Sequence, residues 1–202
     1  MDSKKMQSKL CFVTIGATAS FDGLLTSVFE RPFLEALRDA NYTDLLVQYG
    51  KDGKAIFDKF TTENVEGSKE RCGLNITGFD FNARGLGQEM RRAKSDASGA
   101  TKEGVVISHA GSGSILDALR IGVPLVVVPN PELLDNHQVE LAKELSAQGY
   151  VIHGKLNDLP AAIKETEGLR TRMHNWPPIN SGEEKYKKGL AGIMADEMGF
   201  TD

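Results

Sequence analysis

The sequence predicts a doubly wound α/β fold, in which helices cover both faces of a parallel β-sheet. Short β-branched segments alternate with amphipathic segments along most of the chain, which is typical of repeated strand–helix–strand units. The segments 105–107 and 125–128 are apolar throughout, as expected for strands that are buried on both faces of a sheet. Together these observations favour a Rossmann-like domain.

The predicted elements follow one another in simple alternation. Strands are predicted at residues 10–15, 45–49, 74–77, 105–108, 125–128 and 150–152. Amphipathic helices are predicted near residues 22–40, 53–63, 84–94, 113–121 and 135–147. Small polar residues and glycines over 94–104 predict a flexible loop before the fourth strand.

The alternation of strands and helices weakens after His153. Pro177, Pro178 and Gly182 indicate a tether, and a final helix is predicted over residues 183–198. We therefore expect an α/β domain over residues 1–155 and a C-terminal helical extension over residues 156–202.

Composition excludes several classes of protein. The chain has 24 Lys and Arg residues against 28 Asp and Glu residues, and this net charge of -4 argues against nucleic-acid binding through bulk charge. No apolar run approaches the roughly 18 residues of a membrane span. The short apolar run before Gly16 fits a buried strand better than a signal peptide. Cys11 and Cys72 are too few for a disulfide framework and are expected to be reduced cytosolic thiols.

The most informative motif follows the predicted strand 105–108. His109 and Ala110 lead into Gly111, Ser112, Gly113 and Ser114, and a helix begins there. Glycines let the backbone approach a ligand closely, and a helix N-terminus offers unpaired N–H groups, so this turn predicts a pyrophosphate site. The alternative is a plain strand-to-helix turn in which Ser112 or Ser114 caps the helix.

Two better-known motifs do not fit this turn. The dinucleotide-binding fingerprint requires a third glycine, and Leu116 stands at that position. The nucleophile elbow requires a glycine two residues to either side of its serine, and Ala110 and Ser114 stand there. The turn therefore predicts phosphate binding without assigning a dinucleotide or a hydrolase.

Asp117 lies on the same helix face as this turn, because it follows Gly113 by one helical turn. An acidic side chain there can accept hydrogen bonds from two ribose hydroxyls beside the bound phosphates. It can also merely complement the positive end of the helix dipole.

Further candidate ligand contacts follow other predicted strands. Gly16 and Thr18 can offer backbone and hydroxyl donors to a second part of the ligand, or belong to a plain turn. Aromatic residues at 78–81 can form the wall of a base pocket, or belong to the core. All of these positions lie at carboxyl ends of strands, where open α/β sheets bind ligands.

The predicted helix 135–147 begins at the same edge of the sheet. Asp135 and Gln138 have the spacing of a capping pair, which leaves Asn136 and His137 available for polar contacts with a ligand. The alternative for His137 is an isolated surface histidine.

Five segments, taken in order, resemble a known family of glycosyltransferase subunits. They are FVTIGAT at 12–18, GFD at 78–80, VISHAGSGSILD at 106–117, PLVVV at 124–128 and DNHQ at 135–138. The set resembles the catalytic, cytosolic subunit of the eukaryotic transferase that adds the second N-acetylglucosamine (GlcNAc) to dolichol-diphosphate-GlcNAc during N-glycan assembly. That family is similar in turn to the donor-binding half of a bacterial cell-wall GlcNAc transferase, a GT-B enzyme.

The resemblance implies a role for each part of the site. Residues 111–114 would hold the diphosphate of UDP-GlcNAc, and Asp117 would hold its ribose. Asn136, His137 and Gln138 would reach toward the sugar or the phosphates. Residues 1–155 would then form the nucleotide-sugar-binding domain, and residues 156–202 would dock a partner.

The resemblance also implies an inverting transferase that works with a membrane-anchored subunit, which supplies the acceptor-binding half. We expect a cytoplasmic chain recruited to the cytosolic face of the endoplasmic reticulum. The sequence has no Asp-x-Asp motif, and no metal or other cofactor is expected. His109 is the candidate general base, unless the base lies on the partner. The alternatives are a nucleotide-binding regulatory subunit without chemistry of its own and a nucleotide-dependent oxidoreductase.

Overall fold

Six parallel strands form one sheet in the computed structural model, which describes residues 7–16, 20–95, 100–132 and 137–175. The strands are β1 (Ser8–Thr14), β2 (Asp44–Gln48), β3 (Asn75–Phe79), β4 (Thr101–His109), β5 (Leu125–Val128) and β6 (Ile152–His153). Their spatial order is β3-β2-β1-β4-β5-β6, so the direction of winding reverses between β1 and β4. Loops that leave β1 and β4 at their carboxyl ends diverge there and open a crevice for a ligand.

Helices cover both faces of this sheet, as predicted. They are α1 (Asp22–Phe29), α2 (Arg31–Asp39), α3 (Lys54–Glu63), α4 (Gly87–Arg92), α5 (Ser112–Ile121), α6 (His137–Ala147) and α7 (Leu159–Asn175). Helices α1, α2, α3 and α7 contribute to one hydrophobic core, and α4, α5 and α6 contribute to the other. The doubly wound α/β class is therefore confirmed.

Alternation along each strand divides its side chains between the two cores. On β1, Cys11 and Val13 pack with α1, α2 and α7, whereas Phe12 points to the opposite face and packs with α4 and α5. Both sides of β1 are thus buried, which explains why the central strands are apolar without a polar face. Because β1 is packed on both faces, its carboxyl end is held in place at the edge of the sheet that carries the candidate site.

The predicted helix 22–40 is two helices. Glu30 separates them in an extended conformation, with φ -68° and ψ 141°. Pro32 lies in the first turn of α2, where its missing N–H costs nothing, but its ring would collide with the carbonyl of Val28 in a continuous helix. The proline therefore ends α1 and starts α2.

The predicted loop 94–104 ends earlier than expected, because β4 begins at Thr101. Thr101 pairs with Ser8 in register with β1, and the register shifts between Lys9 and Cys11. Gly104 lies at this irregularity, where an added Cβ would be 1.8 Å from the carbonyl oxygen of Leu10. The absence of a side chain at Gly104 thus permits β1 and β4 to approach each other closely, and this glycine does not mark a loop.

Helix α7 was not predicted, and it belongs to the core of the α/β fold. Leu159, Ala162, Ile163 and Leu169 are buried in the same cluster as β1 and β4. The extension placed at 156–202 therefore begins with a helix of the core itself. The predicted tether at 176–182 and the predicted helix at 183–198 lie outside the described residues.

The last strand begins later than predicted. The sequence predicts residues 150–152, whereas β6 consists of Ile152 and His153, the two residues that pair with β5. Within the described parts of the chain, none of the helices has both the length and the apolar character needed to span a membrane.

Candidate functional site

The imidazole of His109 occupies the crevice between the loop after β1 and the turn after β4. An added Cβ at Gly16 would lie 2.3 Å from His109 Cε1, and one at Gly111 would lie 2.2 Å from His109 Nε2. Real Cβ atoms do not approach so closely, so the ring fits only because glycines flank it on both sides. Gly16 also has a φ of +81°, a conformation that favours glycine.

Burial determines the protonation state of His109. Removal of the ring from water lowers its pKa below the ordinary value, and an interaction with the backbone of Thr14 offsets part of that shift. Its Nδ1 atom is buried and has no hydrogen-bond partner among the described residues. A neutral imidazole is the form that can accept a proton, so this side chain has the protonation state of a general base.

The turn after β4 leaves the start of α5 open to a ligand. Gly111 is the N-cap residue, with φ -80° and ψ 125°, and no side chain caps the helix. The first helical hydrogen bond runs from the N–H of Ile115 to the carbonyl of Gly111. The N–H groups of residues 112–114 therefore have no acceptor within the helix. The predicted alternative, a cap supplied by Ser112 or Ser114, is not adopted.

The first turn of α5 is open at Gly113. An added Cβ at Gly113 would meet nothing within 4 Å. Unpaired N–H groups and the positive end of the helix dipole favour an anion here. The geometry of residues 111–114 is thus suited to a diphosphate group.

Asp117 lies one turn further along α5, on its accessible side. Its side chain is 51% exposed, and its Oδ1 atom is 3.8 Å from Nη1 of Arg120. A pair at that distance between exposed groups contributes little to stability. The carboxylate therefore remains accessible to hydroxyl donors of a ligand.

Gln138, at the start of α6, is oriented by the loop after β5. Its Oε1 accepts a hydrogen bond of 3.1 Å from the backbone N–H of Asn130. A ligand contact by Gln138 would therefore use its Nε2 atom. His137 is the first residue of α6, at the same edge of the sheet. Thr18, Asn136 and the predicted cap Asp135 lie outside the described residues.

The aromatic residues after β3 divide between core and surface. Strand β3 extends to Phe79, whose ring stacks on Phe12 at a centroid distance of 6.3 Å. Phe81 is 58% exposed and is the second residue after the strand. Of the two rings, Phe81 is the more accessible one and is the better candidate for the wall of a base pocket.

Two buried amides, Gln48 and Asn130, were not predicted as part of the site. Gln48 ends the apolar strand β2, and Asn130 follows the apolar strand β5. A polar amide within two residues of the last apolar residue of a buried strand is the signal that could have identified them. Their hydrogen bonds connect loops that are distant in sequence, so their partners could not be read from the chain.

The structure thus brings several predicted residues together. Gly16, His109 and Gly111 are in contact, and residues 112–114 continue from them into α5, with Asp117 one turn away. Gln138 joins this group through Asn130, whose Nδ2 donates to the carbonyl of Ser20 after β1. In the described part of the chain, no group of three or more His, Cys, Asp or Glu side chains could hold a metal ion.

Comparisons with known proteins agree with this fold. The model of the glycosyltransferase family 28 C-terminal domain matches residues 10–175. The UDP-N-acetylglucosamine transferase subunit ALG13 of Eremothecium gossypii is 33% identical over 211 residues, covering 96% of this chain and 95% of the relative. The subunit of the same name from Yarrowia lipolytica is 38% identical over 155 residues, covering 77% and 69%.

A solved structure is similar over the same region. The solution NMR structure of ALG13 matches with a TM-score of 0.59 and 25% identity, over 93% of this chain and 98% of that one. The residues matched by the family model include most of β1, all of β2 to β6, α5 and α7. The chain therefore belongs to glycosyltransferase family 28, within the family of UDP-N-acetylglucosamine transferase subunits that these relatives represent.

Proposed function

We propose that this chain is the donor-binding, catalytic subunit of an inverting transferase that moves GlcNAc from UDP-GlcNAc to dolichol-diphosphate-GlcNAc, the second step of N-glycan precursor assembly. The observation that supports this most directly is the uncapped N-terminus of α5 beside His109, at the point where the sheet reverses its winding. The relatives of this chain are named as UDP-N-acetylglucosamine transferase subunits.

The start of α5 would stabilise the leaving group. Negative charge grows on the diphosphate as the bond to the sugar breaks, and the uncapped N–H groups of residues 112–114 would donate hydrogen bonds to it. The positive end of the helix dipole adds to this effect. Oriented backbone donors would thus do the work that a metal ion does in other transferases.

Other predicted residues would bind the remaining parts of the donor. Asp117 would accept hydrogen bonds from the ribose hydroxyls, which its exposed carboxylate permits. Asn136, His137 and Gln138 would contact the sugar or the phosphates. Gly16 and Thr18 would contribute donors from the loop after β1. Phe81 would lie against the base.

His109 would accept the proton of the acceptor hydroxyl, because partial burial lowers its pKa, which favours the neutral imidazole, and because the ring adjoins Gly111. The alternative within the same proposal is that the base lies on the partner subunit. In that case His109 would only hold Gly16 and Gly111 in place, and its replacement would weaken donor binding without changing the pH dependence of turnover.

A membrane-anchored partner would supply the acceptor wall. The acceptor is a lipid, and one α/β domain provides only one side of a two-domain cleft. We propose that the chain is cytoplasmic and is recruited to the cytosolic face of the endoplasmic reticulum as one half of a heterodimer.

An apolar stripe on the predicted helix 183–198 would dock the partner. It consists of Tyr186, Leu190, Ile193, Met194 and Met198. The alternative is that this stripe packs on the chain's own sheet.

Activity of the reconstituted pair tests the proposal. UDP-GlcNAc turnover should require both subunits and should be insensitive to chelator. A regulatory subunit would bind UDP-GlcNAc but leave turnover unchanged when residues 111–117 are altered. UDP and UDP-GlcNAc should protect the amides of 111–117 from hydrogen exchange, and equal protection by NAD would favour the oxidoreductase.

Truncation before Ser181 should abolish co-purification with the partner, whereas retained binding would place the docking surface elsewhere.

A further inference from the structure

Gln48 holds three chain segments together at the carboxyl edge of the sheet. Its side chain is almost fully buried at the end of β2. Its Nε2 atom donates to the carbonyl of Gly16 at 3.0 Å and to the carbonyl of Asp80 at 2.8 Å. The loops that follow β1 and β3 are therefore both anchored to one amide.

Thr14 completes the arrangement from β1. It is the register neighbour of Gln48, it is fully buried, and its hydroxyl donates to Gln48 Oε1 at 2.7 Å. The same hydroxyl oxygen accepts the N–H of Gly16 at 3.1 Å. Both the N–H and the carbonyl of Gly16 are thus bonded to this buried pair of side chains, which holds the left-handed conformation that places Gly16 against His109.

Asn130 anchors the other end of the same loop. Its buried amide donates to the carbonyl of Ser20 at 3.1 Å, and its Oδ1 accepts the N–H of Glu132. The loop after β1 is therefore held at Gly16 by β2 and at Ser20 by the segment after β5. Burying polar side chains is costly unless they are hydrogen-bonded, and here all of these bonds reach loop ends beside the candidate site.

A buried hydroxyl elsewhere in the chain has a different pattern of bonding. Thr166 in α7 is also fully buried, but its hydroxyl donates to the carbonyl of Ile163 in its own helix. Its neighbour Glu167 pairs with Lys9 near the start of β1, so Thr166 lies toward the opposite edge of the sheet. This hydrogen bond lies within one helix and does not reach the loops beside the candidate site.

We propose that Thr14, Gln48 and Asn130 are positioning residues of the donor site, which fix both ends of the loop after β1 so that Gly16 and His109 stay in contact beside the phosphate turn. This inference rests on the proposed function, since it assigns these residues to the binding of UDP-GlcNAc. None of the three needs to touch the donor. They act through the backbone of Gly16 and the carbonyl of Ser20.

Thr14→Val and Thr14→Ser form the central pair of variants in the full chain. Valine keeps the shape of threonine and removes the hydroxyl, whereas serine keeps the hydroxyl. We expect Thr14→Val to weaken UDP-GlcNAc binding on the order of tenfold in titration calorimetry, because Gly16 and Gln48 lose a buried partner. Thr14→Ser should restore affinity to about that of the wild type. Gln48→Met should behave as Thr14→Val does.

Thr166→Val is the matched control, because it removes a buried hydroxyl distant from the site. It should lower the melting temperature and leave the affinity for UDP-GlcNAc unchanged. Wild-type affinity in Thr14→Val, or an equal loss of affinity in Thr166→Val, would overturn the positioning role.

The titration of His109, followed by NMR without ligand, provides a second measurement. Release of Gly16 should expose the ring, and its pKa in Thr14→Val should move toward the ordinary histidine value, while Thr14→Ser and Thr166→Val titrate as the wild type does. If the wild type does not bind UDP-GlcNAc, the proposed function fails, but this titration still decides whether Thr14 positions Gly16. An unchanged titration in Thr14→Val would overturn the inference by itself.

Discussion

The ring of His109 and the α-carbon of Gly16 are in contact, so that a methyl group on Gly16 would lie 2.3 Å from the imidazole Cε1. Gly16 is the second residue after β1, and His109 is the last residue of β4. The contact therefore joins the two central strands at the reversal of winding. It places Gly16 and Gly111 on two sides of the same ring, next to the turn before α5.

The glycines of this turn should respond differently to alanine. In Gly111→Ala the new Cβ would collide with His109 Nε2, and we expect a loss of about 1–3 kcal/mol in the free energy of unfolding together with a loss of donor binding. Gly113→Ala has open space and a helical position, so stability should rise by up to about 1 kcal/mol.

Donor binding should nevertheless fall in Gly113→Ala, because its methyl group would occupy the space assigned to the diphosphate. Urea unfolding and calorimetry with UDP-GlcNAc measure the two effects separately. Unchanged affinity in Gly113→Ala would show that the diphosphate does not approach this helix start.

Asp117→Asn should separate a ribose contact from a structural role. The substitution keeps the shape of the side chain and weakens its hydrogen bonds with ligand hydroxyls, so kcat/KM should fall on the order of tenfold to a hundredfold. Stability should change by less than about 0.5 kcal/mol, because the side chain is half exposed and its ion pair is long. Arg120→Gln removes the other partner of that pair and should leave activity unchanged. Wild-type kinetics in Asp117→Asn would show that Asp117 only complements the positive end of the helix dipole and does not contact the ribose.

The lowered pKa of His109 should make the free energy of unfolding depend on pH. Because its folded pKa is lowered, the unfolded chain binds a proton more readily, and stability is lost as pH falls from about 6.5 toward the folded pKa. The stabilisation is fully present above that window. Urea unfolding at several pH values should show a smaller slope in His109→Gln.

His153 should still make stability depend on pH in His109→Gln, so part of the slope of unfolding free energy against pH should remain. Burial and the nearby Lys143 and Lys155 also lower the pKa of His153, which therefore contributes in the same direction in both proteins. An identical slope in His109→Gln and the wild type would mean that His109 is not buried in solution.

Truncation should show where the folded core ends. A chain that ends at residue 175 keeps α7 and should unfold cooperatively, with a melting temperature near that of the full chain. A chain that ends at residue 155 removes Leu159, Ile163 and Leu169 from the core. It also removes Glu167, which pairs with the buried Lys9, so we expect it to be insoluble or unfolded by circular dichroism. A folded 1–155 chain would show that α7 is dispensable.

The central strands could be predicted because burial on both faces requires apolar residues at every position, as in 125–128, which matches β5 at both ends. The turn at 109–114 could also be predicted, since glycines before a helix have few other uses. Helix α7 was missed because two of its five buried positions in the stripe 159, 162, 163, 166 and 169 are Ala162 and Thr166, so few large apolar residues mark its buried face.

Sequence alone determined the fold class and the position of the glycine-rich turn at residues 109–114, because periodicity and glycine placement are local properties of the chain. Tertiary structure alone decided that His109 lies between Gly16 and Gly111, and that Gln48 and Asn130 hold the loop after β1. Gln48 bonds to residues 32 positions away, and Asn130 bonds to one 110 positions away. No local pattern encodes such pairs, because only the order of strands in the sheet brings their loops to one edge.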